Sequence, residues 1–256
     1  MTNQNTQPMR VLCIFAHPDD PEFSVGGSAA RWAHEGAEVT YCIITDGSAG
    51  SNTPGEDLAA LVETRHAEQR CAADALGVKE VLFLGYRDGT LQPTIELRRE
   101  LTRLIRKLKP DRVVCGDPTA ILYGDDYINH PDHRAAAEAA VYAVFPSAET
   151  RPIFPELLDE GLEPHKVREL YISGSTQPTV YVDISSTLDQ KIEALRCHKS
   201  QVDPGDGKWI RDWAAETGKQ GNVPYAEAFR VMRLVRDQEP AEAAAPIEEA
   251  DQPKAE

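Results

Sequence analysis

Residues 11–16 read VLCIFA, an unbroken apolar run whose length and side chains suit a parallel strand buried on both faces. The run stops at HPDDPE, residues 17–22, where a histidine, two aspartates and a glutamate arrive together. Carboxylates crowded at the end of a buried strand repel one another unless a cation or hydrogen-bond donors offset the charge. The stretch needs a counter-ion.

The same strand-like signal recurs along the chain. EVTYCIIT (38–45), EVLFLG (80–85) and RVVCG (112–116) alternate with helical patterns that end near Gly36 and Gly77, run from about 95 to 108, and run from Pro131 to about Val144. Strand and helix in alternation predict right-handed βαβ units. The fold class expected is therefore α/β, a Rossmann-like and mostly parallel sheet with helices on both faces. The last hundred residues add the shorter strands KVRELYIS and TVYVDIS and helices starting near Leu188 and Tyr225, a smaller C-terminal α+β portion. Ligands of such sheets bind at the carboxyl ends of the strands, where the 17–22 cluster sits.

A chain of 256 residues with 41 % hydrophobic content suits one large domain, expected over 1–236. A formal net charge of -15 argues against nucleic acid or an anionic membrane as partner, because either needs a basic surface. Part of that charge lies in DQEPAEAAAPIEEADQPKAE, residues 237–256, which reads as a disordered acidic tail. The five cysteines never fall in a CxxC spacing. They read as small buried residues of a reducing cytoplasm rather than as a disulfide framework. No apolar leader and no membrane-length apolar run is present, so the expectation is a soluble cytoplasmic protein.

A second ionisable cluster, NHPDHR at 129–134, follows the fourth strand and its long loop. Pro131 suits the first turn of a helix, which puts His130 at the cap and Asp132 and His133 in the first turn. Two histidines and one aspartate with an open position form the donor set of a catalytic zinc site. His17 and Asp20 supply two ligands and His133 the third. Asp19 is left unliganded, as a general base should be. His130 is placed to donate to a developing oxyanion, with Asp132 orienting its ring and favouring the protonated form. Iron accepts the same donors as zinc. GxSxG, HExxH, GxxxxGK[ST] and a GxGxxG after the first strand are all absent, which removes several other enzyme classes.

AHPDDPE with Gly26 and Gly27 behind it, together with HPDH, resembles the two signature motifs of the LmbE-like (PIG-L) family of metal-dependent N-acetylglucosaminyl deacetylases. The resemblance implies hydrolytic removal of acetyl from an N-acetylated amino sugar or its glycoside. The alternatives are an amidase of thiol conjugates and a non-catalytic carbohydrate-binding protein. It implies zinc ligands His17, Asp20 and His133, base Asp19, and the pair His130 and Asp132. It also points to Arg65 and Asp88 as contacts for sugar hydroxyls, with Glu22 placed beside them among the substrate contacts. Arg65 reads equally as a solvated helix residue paired with Glu63 or Glu68, and Asp88 as a turn aspartate before Gly89. Oligomers are common among similar proteins, so a homo-oligomer is compatible with the resemblance. Specificity is expected in the loops 46–56, 86–92, 117–128 and 199–224, the first of which departs from many relatives at Ser48 and Ala49.

Overall fold

The computed structural model describes residues 7–235, and the tail expected over 237–256 lies outside them. The chain runs β1 (Arg10–Phe15), α1 (Asp20–His34), β2 (Glu38–Thr45), α2 (Leu58–Leu76), β3 (Glu80–Tyr86), α3 (Ile95–Leu108) and β4 (Arg112–Cys115). A small hairpin, β5 (Leu122–Tyr123) and β6 (Tyr127–Ile128), precedes α4 (Pro131–Tyr142), which passes into a π-helical stretch, Ala143–Ala148. The remainder is α5 (Glu156–Asp159), β7 (Glu169–Ser173), β8 (Val180–Asp183), α6 (Leu188–Leu195), α7 (Lys208–Gly221) and β9 (Ala226–Arg233).

Seven strands form one sheet in the order β3-β2-β1-β4-β7-β9-β8. Pairing is parallel from β3 through β7, while β9 runs antiparallel to both β7 and β8. The C-terminal α+β portion is thus the mixed edge of the same sheet. Alternating side chains of β1 explain why its whole run is apolar. Val11, Cys13 and Phe15 pack with Val25 and Ala29 of α1 and Leu76 of α2, whereas Leu12 and Ile14 join Leu97 and Leu101 of α3 and Ala136 of α4 on the opposite face. Both faces are buried, so neither tolerates a polar residue until the strand ends. Strand order reverses between β1 and β4, which opens a crevice at their carboxyl ends. Both ionisable clusters emerge there.

Two C-terminal expectations fail for physical reasons. The helix expected near Tyr225 is strand β9, in which Phe229 and Val231 turn inward while Arg230 and Met232 stay exposed. Pairing with two strands overrides the helical propensity of its Ala, Glu and Met. The segment 199–224, expected as a loop, contains α7, whose buried Ile210, Ala214 and Gly218 recur every four residues. Gly205 and Gly207 at its entry mask that periodicity.

The cysteine expectation is half right. Cys13, Cys42 and Cys115 are free and buried in strands, but Cys71 and Cys197 form a disulfide that joins α2 to the turn after α6. Their separation of 126 residues carries no spacing signal, and the pairing arises from the packing of α2 against α6. No helix among the described residues is long and apolar enough to cross a membrane. Titration of the denatured, unreduced protein with a thiol reagent is expected to count three thiols per chain. A count of five would remove the disulfide.

Candidate metal centre

β1 ends at Phe15, and the chain turns so that Asp19 becomes the N-cap of α1. An N-cap aspartate ordinarily accepts from the helix's own free N–H groups. Asp19 does not, and its backbone holds φ at 102°, a conformation that costs a non-glycine residue on the order of 1–3 kcal/mol. Neighbours hold it there. The Asp19 N–H donates to Gln69 Oε1 at 2.9 Å, and Arg65 Nη2 reaches Asp19 Oδ2 at 3.3 Å and the Pro18 carbonyl at 2.8 Å. Gln69 and Arg65 stand one turn apart on α2 and so present to the same side.

Asp20, one residue on, bridges the two signature motifs. Its Oδ2 lies 3.4 Å from His17 Nδ1 and its Oδ1 lies 3.0 Å from His133 Nε2, while the two ring nitrogens are 3.2 Å apart. A tetrahedral ion with bonds of about 2.0–2.1 Å has ligand-to-ligand edges of about 3.3 Å. Asp20 offers a different oxygen to each histidine, and the spacings among the three residues are close to such edges. The opposite nitrogens of the rings also have partners: His17 Nε2 lies 3.0 Å from Asp88 Oδ1 and 3.4 Å from Asp132 Oδ2, and His133 Nδ1 lies 3.1 Å from Asn129 Oδ1. Fixing the far nitrogen is how proteins orient metal-bound imidazoles. His130 also offers a nitrogen within 4.8 Å of those of His17 and His133.

Charge in this cluster is out of balance. Burial alone would keep His17 neutral, yet Asp20, Asp132 and Asp88 outweigh it and push the imidazole up to about 12. One carboxylate about 4 Å away contributes on the order of 4 kcal/mol at an effective dielectric near 20, so three together exceed the desolvation cost. His133 is raised by Asp20 against its own burial, and Asp20 is held well below the usual carboxylate range by the two imidazoles despite its burial. The site favours positive charge, as a cation requires. Asp19 behaves oppositely: burial and the adjacent Asp20 push it up to about 7, against the pull of Arg65.

His130 caps α4 through its side chain, with Nδ1 accepting from the Asp132 N–H at 3.2 Å. In the neutral ring this puts the proton on Nε2. Burial and the proximity of His17 lower His130 below the ordinary histidine value. The expectation for Asp132 is therefore corrected. Its carboxylate is fully buried and accepts from the N–H groups of Gly89 at 2.7 Å and Leu91 at 3.1 Å, facing His17 instead of the His130 ring. Only its main-chain N–H orients His130, which is not driven toward the protonated form.

Glu22 is corrected as well. It is 0 % exposed, with Oε1 accepting from Gln69 Nε2 at 2.9 Å and Oε2 3.0 Å from His198 Nε2, so no substrate reaches it. Arg65 and Asp88 are 4 % and 7 % exposed and mostly engaged within the protein. Arg65 Nη1 donates to the Gly47 carbonyl at 2.8 Å, and Asp88 Oδ2 accepts from Ala49 N–H at 3.0 Å. Gly47 suits this approach: at φ +71° its absent Cβ would lie 2.9 Å from Arg65 Nη1. Three supporting residues escaped the sequence reading. Gln69 stands one helical turn from Arg65, a spacing that signals it, and Asn129 directly precedes the HPDH motif, whereas nothing in the sequence ties His198 to Glu22.

A hollow of about 90 Å³ opens beside Asp20 and His133, lined also by Asn129, Asp117 and Tyr123. The family comparison is decided by the two motifs that meet here: residues 12–144 match the family model described as PIG-L, GlcNAc-PI de-N-acetylase. The chain belongs to the PIG-L family. Among its relatives, a diacetylchitobiose deacetylase of Thermococcus kodakarensis is 33 % identical over 232 residues, covering 87 % of this chain and 83 % of that protein. A probable N-acetyl-alpha-D-glucosaminyl L-malate deacetylase 2 of Bacillus anthracis is 30 % identical, covering 75 % of this chain and 80 % of its own. The solved structure of N,N'-diacetylchitobiose deacetylase from Pyrococcus horikoshii superposes with a TM-score of 0.81 at 32 % identity, covering 91 % of this PIG-L chain and 88 % of its own.

Within this PIG-L domain, His198→Ala strips a buried carboxylate of its partner. We expect a loss of about 3 kcal/mol in urea unfolding. An unchanged midpoint would mean Glu22 has no need of His198.

Proposed function

We propose that this PIG-L chain is a metal-dependent N-deacetylase that hydrolyses the acetamide of an N-acetylated amino sugar or its glycoside, releasing acetate. The observation that carries the reading is the arrangement around Asp20, whose two oxygens lie 3.4 Å and 3.0 Å from ring nitrogens of His17 and His133 that are themselves 3.2 Å apart, with Asp19 left unliganded beside them. His17, Asp20 and His133 would hold the ion, and zinc suits two nitrogens and a carboxylate, as does ferrous iron. When bound, the ion polarises the acetamide carbonyl and acidifies the attacking water.

The remaining steps belong to side chains of this protein. Asp19, raised toward neutral pH and anchored through its N–H and Oδ2, accepts the water's proton and passes it to the departing amine. His130, neutral with its proton on Nε2, donates to the oxygen that gains charge when the carbonyl becomes tetrahedral. Arg65 and Asp88 brace the loop 46–50 around the base, so their contribution runs mainly through position and any contact with sugar hydroxyls uses their narrow exposed edges. The substrate is a small molecule.

Two measurements test this reading. Asp19→Asn is expected to retain one metal ion per chain and to lower kcat for amine release from N-acetylglucosamine glycosides by about 10²–10⁴-fold. Retained turnover would sink the base assignment. His133→Ala is expected to lose the ion by elemental analysis after dialysis, and a full metal complement in that variant would take His133 out of the ligand set.

A further inference from the structure

The disulfide between Cys71 and Cys197 lies where α2 packs on the end of α6, and both cysteines line an open depression of about 420 Å³. Cys71 is exposed and Cys197 half-buried, whereas Cys13, Cys42 and Cys115 are 0 % exposed. A thiol arriving from solvent therefore meets this pair and none of the other sulfurs. Exposed disulfides are the ones that exchange with free thiols, while protected structural ones resist reduction.

The charges around the depression suit that exchange. Arg196 is paired with Glu193, and Glu68 accepts from the Ser200 N–H at 2.8 Å and from its hydroxyl at 2.6 Å. Lys199 is exposed two residues from Cys197 and has no ionic partner among the described residues. Of the charged side chains lining the depression it alone is uncommitted, and an ammonium here favours both an approaching thiolate and a departing one.

The same bond reaches the buried contacts behind Asp19. One residue beyond Cys197, His198 Nε2 lies 3.0 Å from Glu22 Oε2. Two residues before Cys71, Gln69 donates to Glu22 through Nε2 and accepts the Asp19 N–H through Oε1, each at 2.9 Å. Gln201 Oε1 and Arg65 Nη1 each lie 2.6 Å from where a Cβ on Gly50 would stand, so the turn after α6 also abuts the loop that Arg65 braces. With the bond cut, this turn is held to α2 by the Ser200 hydrogen bonds, which water competes for at the surface, and by His198 through Glu22. A cross-link between residues 126 apart acts chiefly by removing open conformations, and reduction restores them.

We infer that Cys71–Cys197 is a thiol–disulfide exchange site at which a small dithiol controls turnover at the metal centre, the oxidised form being the active one. One thiolate of the dithiol attacks Cys71 Sγ, the S–S bond breaks, and Cys197 leaves as a thiolate beside Lys199. The second thiol then attacks its own sulfur of the mixed disulfide and releases Cys71. Two electrons and two protons pass from the dithiol to the two cysteines, and the dithiol leaves as a cyclic disulfide. The effect on turnover rests on the deacetylase reading, whereas the opening of the turn does not.

The test follows amide hydrogen exchange and kcat of the metal-loaded full chain before dithiothreitol, after it, and after reoxidation. Exchange is expected to rise about 10-fold over residues 65–72, 196–202 and 19–22 and to stay unchanged in β2. In parallel, kcat is expected to fall about 10-fold or more, with KM and metal content unchanged, and to recover on reoxidation. A chain carrying both Cys71→Ser and Cys197→Ser is expected to match the reduced wild type and to ignore dithiothreitol, which separates exchange at this bond from chelation of the metal. Equal kcat in the two wild-type forms, a fall that tracks loss of metal, or a serine variant that still responds overturns the switch. If neither form releases amine, the deacetylase reading fails alone as long as reduction reversibly frees residues 19–22; unchanged exchange there overturns the exchange site's control of the centre.

Discussion

Carboxylates outnumber the positive charge available at the end of β1, and much of the surrounding structure serves to hold that imbalance. Asp20, Asp88 and Asp132 converge on a single imidazole, and among the described residues His133 is the only other basic group in contact with Asp20. Such a cluster is costly in a chain that folds without a cation, because each like pair adds repulsion that burial magnifies. Backbone N–H groups from Gly89, Leu91 and Ala49 and the Arg65 guanidinium take up part of the charge.

Two neighbouring aspartates acquire opposite properties from this arrangement. Asp20 sits between two imidazoles and stays ionised, whereas Asp19 faces inward with one arginine and a nearby negative charge and is raised. The separation depends on the unusual backbone at Asp19, which turns consecutive side chains to different surroundings. Gln69 sustains that turn from one side and is itself held by Glu22, whose second oxygen meets His198. Asp19 is thus positioned by a chain of buried polar contacts.

Much of the fold was legible because it is written in local patterns. The four parallel strands β1 to β4 announce themselves as apolar runs, and their helices stop at residues such as Gly77, which adopts the left-handed cap that glycine permits. The HPDD and HPDH pairs were legible because each packs its ionisable residues and a helix-starting proline into a short stretch. In the C-terminal portion β7, β8 and α6 were legible too, but β9 was not, since it takes its conformation from two distant partners and not from its own composition. The partners of Glu22 and of the Asp132 carboxylate escaped for a similar reason: a buried carboxylate and a substrate-facing one have the same letter in a sequence, and only packing separates them. The Cys71–Cys197 bond is equally long-range.

That covalent bond has a consequence for Asp19. It ties α2, which carries Arg65 and Gln69, to the turn that carries His198. Both ends of the buried polar chain behind Asp19 are therefore fastened to one another independently of that chain. A fluctuation that peels away the end of α6 must carry α2 with it, so the scaffold behind Asp19 opens as one cooperative block or not at all. Rigidity at the strained residue is obtained from a linkage on the far side of the helix, out of reach of anything in the cleft.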